Sequence, residues 1–267
     1  MRTAVISDIH VDINKEYDVV EALKEYVKEQ EVELLLIAGD ISNNAKQTME
    51  IAEQIENGGK AKVLYVPGNH DMWNMEGTYE NNDEIYDMFY RDSRCLSGKV
   101  YEAGDHLLIG DIGWYDYSFG NLRYTKEEFD RMEIDGRVFQ DHLFNRWTED
   151  NPGKCDQFVN YFKTQMDKNP GKRYVLMTHM LSHPAFTVPE TIGNWSYMNA
   201  FLGSKKLQDL CLEYSVDYAI CGHVHYRRTF KENGVTWMCR CLNYENEWRG
   251  EKNVRKQIAA AAEIIDL

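Results

Sequence analysis

Residues 61–73, AKVLYVPGNHDMW, run an apolar stretch straight into a polar cluster. Ala61 to Val66 reads as a buried strand, and Pro67 with Gly68 is enough to turn the chain after it. Asn69, His70 and Asp71 are therefore surplus to the turn, and an amide, an imidazole and a carboxylate at one strand end predict chemistry. The arrangement recurs. Thr3–Ser7 leads into Asp8 and His10 (SDIH), and Glu33–Ala38 into Asp40 (AGDISNN). Tyr174–Met177 leads into His179 (MTHM), and Asp217–Cys221 into His223 and His225 (CGHVH). Helical periodicity over Val19–Lys28 and Ala45–Glu56 separates the first three strands. That βαβαβ rhythm predicts an α/β fold with parallel neighbours and helices on the sheet faces. Ligands of such sheets gather at the C-terminal strand ends, where all five motifs fall.

Asp8, His10, Asp40, Asn69, His179, His223 and His225 are too many donors for one tetrahedral zinc. They suit two ions about 3.5–4 Å apart that share a carboxylate and a water. Imidazole and oxygen donors without thiolate favour manganese, iron or zinc.

The series D-x-H, G-D, G-N-H-D, H, G-H-x-H, from Asp8 to His225, resembles the calcineurin-like metallophosphoesterase superfamily. The resemblance implies a four-layer αββα sandwich with two packed mixed sheets. It implies one metal held by Asp8, His10 and His225, a second by Asn69, His179 and His223, and Asp40 bridging them. His70 would be the general acid, oriented from behind by Asp71. The implied reaction is hydrolysis of a phosphodiester, or a phosphomonoester, of a small nucleotide-like or other phosphorylated substrate by a hydroxide bridging the metals. The alternatives are a nuclease, or a scaffold with this fold and no catalysis. GDISNN lacks the arginine that the Ser/Thr protein phosphatase branch carries after its G-D motif.

The remaining chain fits one domain, 1–267, with an insertion. Residues 113–152 are aromatic, charged and weakly periodic, and are expected to cap the metal edge. Within them Trp114 and Tyr115 could stack on substrate or pack the insertion, and Arg123 could meet phosphate. His183 is a further substrate-side candidate, while His106 reads as solvated. Helices are expected at Asp83–Tyr90, Asp156–Asp167 and Tyr197–Tyr214. A hairpin is expected across Glu232, Asn233 and Gly234, and the C-terminal segment reads as helix or strand. Forty-four acidic against 30 basic side chains give a net charge of -14, which argues against extended nucleic acid but not against a small phosphorylated substrate. MRTAVISDIH is not a signal peptide, no stretch is long and apolar enough for a membrane span, and the six cysteines read as reduced thiols of a cytoplasmic protein.

Overall fold

The computed structural model describes residues 1–267. The first third follows the expected rhythm: β1 (Arg2–Ile6), α1 (Val19–Glu29), β2 (Leu34–Ala38), α2 (Ala45–Gly59), β3 (Lys62–Val66) and α3 (Asn82–Arg91). Next come β4 (Val100–Ala103) and β5 (His106–Asp111), and then the insertion with α4 (Lys126–Asp130), the hairpin β6 (Glu133–Ile134) and β7 (Arg137–Val138), and α5 (Asp141–Phe144). The last part holds α6 (Asn151–Lys168), β8 (Arg173–Thr178), α7 (Trp195–Met198), α8 (Lys205–Glu213), β9 (Tyr218–Cys221), β10 (Arg227–Glu232), β11 (Val235–Arg240), α9 (Val254–Ala261) and β12 (Glu263–Asp266).

Two sheets result, ordered β12-β1-β2-β3 and β10-β11-β9-β8-β5-β4. Strands β1, β2 and β3 are parallel, as are β5, β8, β9 and β11, while the edge strands β12, β10 and β4 run antiparallel. In β2, Leu34, Leu36 and Ala38 pack with Leu108, Val175, Met177, Ile220 and Met238 of the other sheet. Leu35 and Ile37 join the core that includes Leu23 of α1 and Ile51 of α2. Burial on both faces is why LLLIA is uniformly apolar. The α/β class and the four-layer sandwich are those expected.

The sheets meet where β1 and β11 end. Ser7 N–H donates to Arg240 O (2.9 Å) and Leu242 N–H to Ser7 O (2.9 Å). This junction brings the loop after β1 beside the segment after β11.

Local chemistry sets the helix starts. Asn44 caps α2 by accepting from Lys46 and Gln47 N–H, and Asn81 caps α3 in the same way. Asn233 (φ 52°) and Gly234 (φ 88°) form the turn of the β10–β11 hairpin, which needs two left-handed residues.

Two expectations change. The helix expected over Tyr197–Tyr214 is broken between α7 and α8. Leu181 N–H donates to Leu202 O (2.8 Å) and Ser204 N–H to Leu181 O (3.2 Å), so the chain is pinned to another strand-like segment there. Ser204 then restarts the helix by accepting from Lys206 N–H. The C-terminal segment is both helix and strand: α9, then β12 against β1.

Candidate metal centre

Five strand ends converge on one cluster. The carboxylate of Asp40 divides its oxygens. Oδ2 lies 3.6 Å from His10 Nε2 and Oδ1 3.4 Å from His179 Nε2. On the His10 side stand Asp8 and His225, with His225 Nε2 3.2 Å from His10 Nε2 and 3.6 Å from Asp8 Oδ1. On the other side His179 Nε2 is 3.0 Å from Asn69 Oδ1. The residues able to hold a cation form groups of Asp8, His10 and His225 and of Asp40, His179 and His223, within 4.8 Å in each case, and Asp40 also groups with His10 and His70.

The backbone is bent to make this cluster. Asp8 (φ 50°), His10 (40°), Asp40 (54°), His223 (72°) and His225 (57°) all adopt left-handed conformations. Such conformations are costly for residues with a β-carbon and persist where the surroundings enforce them. His223 N–H donates to both oxygens of Asp8 (3.0 and 3.1 Å), and His70 N–H donates to Asp40 Oδ1 (3.0 Å). A β-carbon at Gly68 would run into Asp40 Oδ1, and one at Gly222 would stand 2.5 Å from Asp8 Oδ2.

The rings are oriented from behind. His179 Nδ1 bonds Ala38 O (2.9 Å) and His225 Nδ1 bonds Glu247 Oε2 (2.6 Å), which leaves each Nε2 facing the cluster. Asn69 Nδ2 donates to Asp141 Oδ1 (2.8 Å), aiming its carbonyl oxygen inward. Burial raises the pKa of Asp8 and Asp40, in Asp40 reinforced by Asp8. Burial also pushes His10 and His179 well below the ordinary imidazole range, and His223 to about 4. For His225 burial is outweighed by Glu247 and Asp8, and the net shift is upward. Buried carboxylates beside neutral, lone-pair-donating imidazoles are a donor set that fits divalent cations of the manganese, iron or zinc type.

One expectation about His70 changes. The Asp71 carboxylate is not behind it. Asp71 accepts from the N–H groups of Asp40 (2.8 Å), Ile41 (3.0 Å), Ser42 (2.9 Å) and Gly68 (2.7 Å) and from Thr48 Oγ1 (2.5 Å). Those bonds tie the turn after β2 to the turn after β3 and use up its oxygens. Asn43 Oδ1 instead holds His70 Nδ1 at 2.7 Å, and Trp73 stacks on the ring (centroids 3.6 Å apart). His70 Nε2 is left facing Asp40 Oδ2 at 4.0 Å. Burial, then His223 and His225, lower its pKa to about 3.

A cavity of about 720 Å³ opens over the cluster. One wall carries Asp40, Asn69, His70, His223 and His225. The rest of the lining includes Val138 and Phe139 from the stretch after β5 and Val188, Trp195, Met198 and Leu202 from the segment before α8, with Arg137 as the only Arg or Lys, and Phe139 adjoins His223 with ring centroids 6.4 Å apart. None of the four substrate candidates lines it. Trp114 and Tyr115 are buried, stacked on one another at 4.6 Å, and root the insertion through Trp114 Nε1 to Asn151 and Tyr115 OH to Asp141. Arg123 donates to Ser196 Oγ and stacks over Tyr124. His183 is packed against Trp237 and lies 3.1 Å from Glu232. Sequence reasoning missed Trp73, Arg137, Asp141, Trp195 and Glu247, and it read Asn43 chiefly as a cap for the helix from Ala45. Only Trp73, two residues beyond the G-N-H-D motif, had a position that could have flagged it.

A family model of calcineurin-like phosphoesterases matches residues 1–227. An uncharacterized protein, L509, of Acanthamoeba polyphaga mimivirus is 22% identical over 258 residues, 91% of each chain. The acyl-carrier-protein phosphodiesterase PptH of Mycobacterium tuberculosis is 25% identical over 267 residues, covering 92% of this chain and 79% of that one. Among solved structures, the phosphopantetheinyl hydrolase PptH of M. tuberculosis superposes with a TM-score of 0.75 at 18% identity, covering 98% of this chain and 95% of that one. A dimetal phosphatase from Danio rerio superposes at 0.55 and 13% identity, covering 90% and 86%. No helix is long and apolar enough to cross a membrane.

Proposed function

The chain belongs to the calcineurin-like phosphoesterase family, and within it we propose a dinuclear-metal phosphodiesterase for small diesters that carry a long, weakly polar arm. The carrying observation is the contrast within one cavity: residues of metal-ligating type share its lining with apolar residues and a single cation, Arg137. A diester phosphate bears one negative charge, which Arg137 can match, and its substituent gains by burial against Trp195, Met198 and Phe139. A monoester dianion would leave charge without a partner in that lining. The name of the M. tuberculosis relative, phosphopantetheinyl hydrolase, fits an arm of this kind.

We assign Asp8, His10 and His225 to one ion, Asn69, His179 and His223 to the other, and Asp40 to both, because its two oxygens face the two sets. When bound, such ions supply a water of lowered pKa and polarise the phosphoryl oxygens. The chain's own groups do the rest. Glu247, Asp141 and the Ala38 carbonyl keep the donor atoms aimed inward. Asn43 fixes the tautomer of His70, so that Nε2 is the atom presented to the leaving oxygen. The bound anion beside it offsets the burial that otherwise keeps that nitrogen unprotonated. The aromatic and apolar wall excludes water from the arm.

The test is hydrolysis of bis-p-nitrophenyl phosphate against p-nitrophenyl phosphate by manganese-loaded protein. The diester is expected to have the higher kcat/KM, by roughly tenfold, about 1.4 kcal/mol in the transition state. A preference for the monoester would overturn the diesterase reading, and no turnover of either would overturn catalysis.

A further inference from the structure

Behind Glu247 lies a second cavity, of about 480 Å³, lined by Arg227, Arg228, Arg249, Asn243 and Tyr226. It shares Val224, His225 and Glu247 with the cavity over the metal-type cluster, so the two spaces adjoin at these three residues. Three arginines around one space stand out in a chain of net charge -14. None of the three forms an ion pair, whereas other arginines, such as Arg94, Arg173, Arg240 and Arg255, do. The only carboxylate on the wall, Glu247, is engaged with His225 Nδ1.

The arginines are also fixed to different degrees. Arg227 is half-buried and donates to Cys241 O (3.0 Å), Leu242 O (2.8 Å) and Gln257 Oε1 (2.9 Å), all neutral acceptors. It therefore holds a half-buried positive charge with no ion-pair partner, near Arg240 and Arg249. Arg228 donates to Ala185 O (2.9 Å), and Arg249 is exposed with its guanidinium free of side-chain bonds. A fixed guanidinium at the base and a free one at the rim form a receptor for an oxyanion.

We propose that this cavity binds a second anionic group, a phosphate or a carboxylate, of the molecule whose phosphodiester occupies the metal-type cluster. The substrate class narrows to diesters with a further anion on the Glu247 side of the phosphate. This rests on the proposed function for the placement of the first phosphate.

Binding tests it. Calorimetry compares ethyl phosphate with alkane-α,ω-bisphosphates of two to six carbons on manganese-loaded protein. At least one bisphosphate is expected to bind about tenfold tighter than ethyl phosphate. Arg249→Ala should remove most of that gain, and Arg249→Glu all of it. A bisphosphate series no tighter than ethyl phosphate, or a gain untouched by both variants, overturns the proposal. So does simultaneous binding of inorganic phosphate with ethyl phosphate when no linked bisphosphate gains, since the cavity would then serve a free anion. Turnover is read separately with bis-p-nitrophenyl phosphate, so a failure of the proposed function leaves the binding comparison readable.

Discussion

The two walls of the main cavity are built differently. The metal-side wall hangs from the ends of β2, β3 and β9, with the residues after β1 and β8 behind it, and the carboxylates of Asp8 and Asp40 are held by backbone N–H groups of neighbouring turns. The apolar part of the lining comes from Arg137–Asp141 and from the segment between Val188 and Leu202, neither of which belongs to a sheet of the sandwich. Asp141 is the joint: it accepts from Asn69, Trp73 and Asn145 and so ties α5 to the turn after β3. The contrast assigns chemistry to a rigid, reciprocally bonded scaffold and substrate shape to segments that vary without disturbing it.

The largest effect should come from Asp40→Ala. One carboxylate faces both ligand sets, so both ions should be lost and turnover should fall by about 10⁴-fold or more. His10→Ala should chiefly weaken one ion. Metal analysis of the two variants checks this, and equal loss in both would contradict the bridge.

Next come the two neighbours of His70. Asp71→Ala would strand four buried N–H groups, those of Asp40, Ile41, Ser42 and Gly68. The expected loss is about 4 kcal/mol of stability, read by urea denaturation. Asn43→Ala should cost little stability but slow a poor leaving group by roughly 10- to 100-fold through loss of His70 orientation, with less effect on p-nitrophenolate. The reverse pattern would restore Asp71 as the orienting group.

The same contrast explains what the sequence disclosed. Strand ends were legible because a buried parallel strand is an uninterrupted apolar run, and a metal ligand after it stands out. The stretch expected to cap the site was legible only as irregular sequence. Of it, residues 137–141 line the cavity, while the aromatic side chains of Trp114, Tyr115, Tyr117 and Phe119 are buried. Trp114 and Arg123 looked like binding groups because composition does not say which way a side chain faces. Asp71 was misread for a related reason: adjacency to His70 in sequence sends successive side chains apart, and Asn43, 27 residues away, arrives from another turn. Glu247 and Asp141 act through residues remote in the chain and left no local pattern.

The shape-reading wall should respond to Trp195→Ala. Trp195 is half-buried, packs against the core on one side and lines the cavity on the other, so truncation takes away part of the apolar lining together with some core contact. For a diester with a long arm KM should rise about tenfold, roughly 1.4 kcal/mol, with kcat within about twofold. For dimethyl-sized substituents the change should vanish. A fall in kcat with metal content intact would mean the wall takes part in positioning the reacting phosphate.

The smallest effect concerns an imidazole at the opposite end of the second sheet, where it can bind no substrate. His106, read as solvated, is only 3% exposed at the start of β5 and lies 3.2 Å from Asp217. Burial, and then Arg173, lower its pKa, and Asp217 opposes them. The folded chain therefore holds His106 neutral at pH values where the unfolded chain binds a proton. Its contribution is present above about pH 6.5, the unfolded value, and is lost as pH falls through 6.5 towards the lower folded value. His106→Leu removes that term, and Asp217 keeps Arg173 at 2.7 Å. Between pH 7 and pH 5 wild type should lose about 2 °C more in Tm than the variant, the scale of a fraction of a kcal/mol in a chain of this size. Scanning calorimetry with and without manganese makes the comparison. An offset independent of metal separates this end of the sheet from the metal edge, whereas an offset that appears only with manganese would couple the two ends and break the division between scaffold and site.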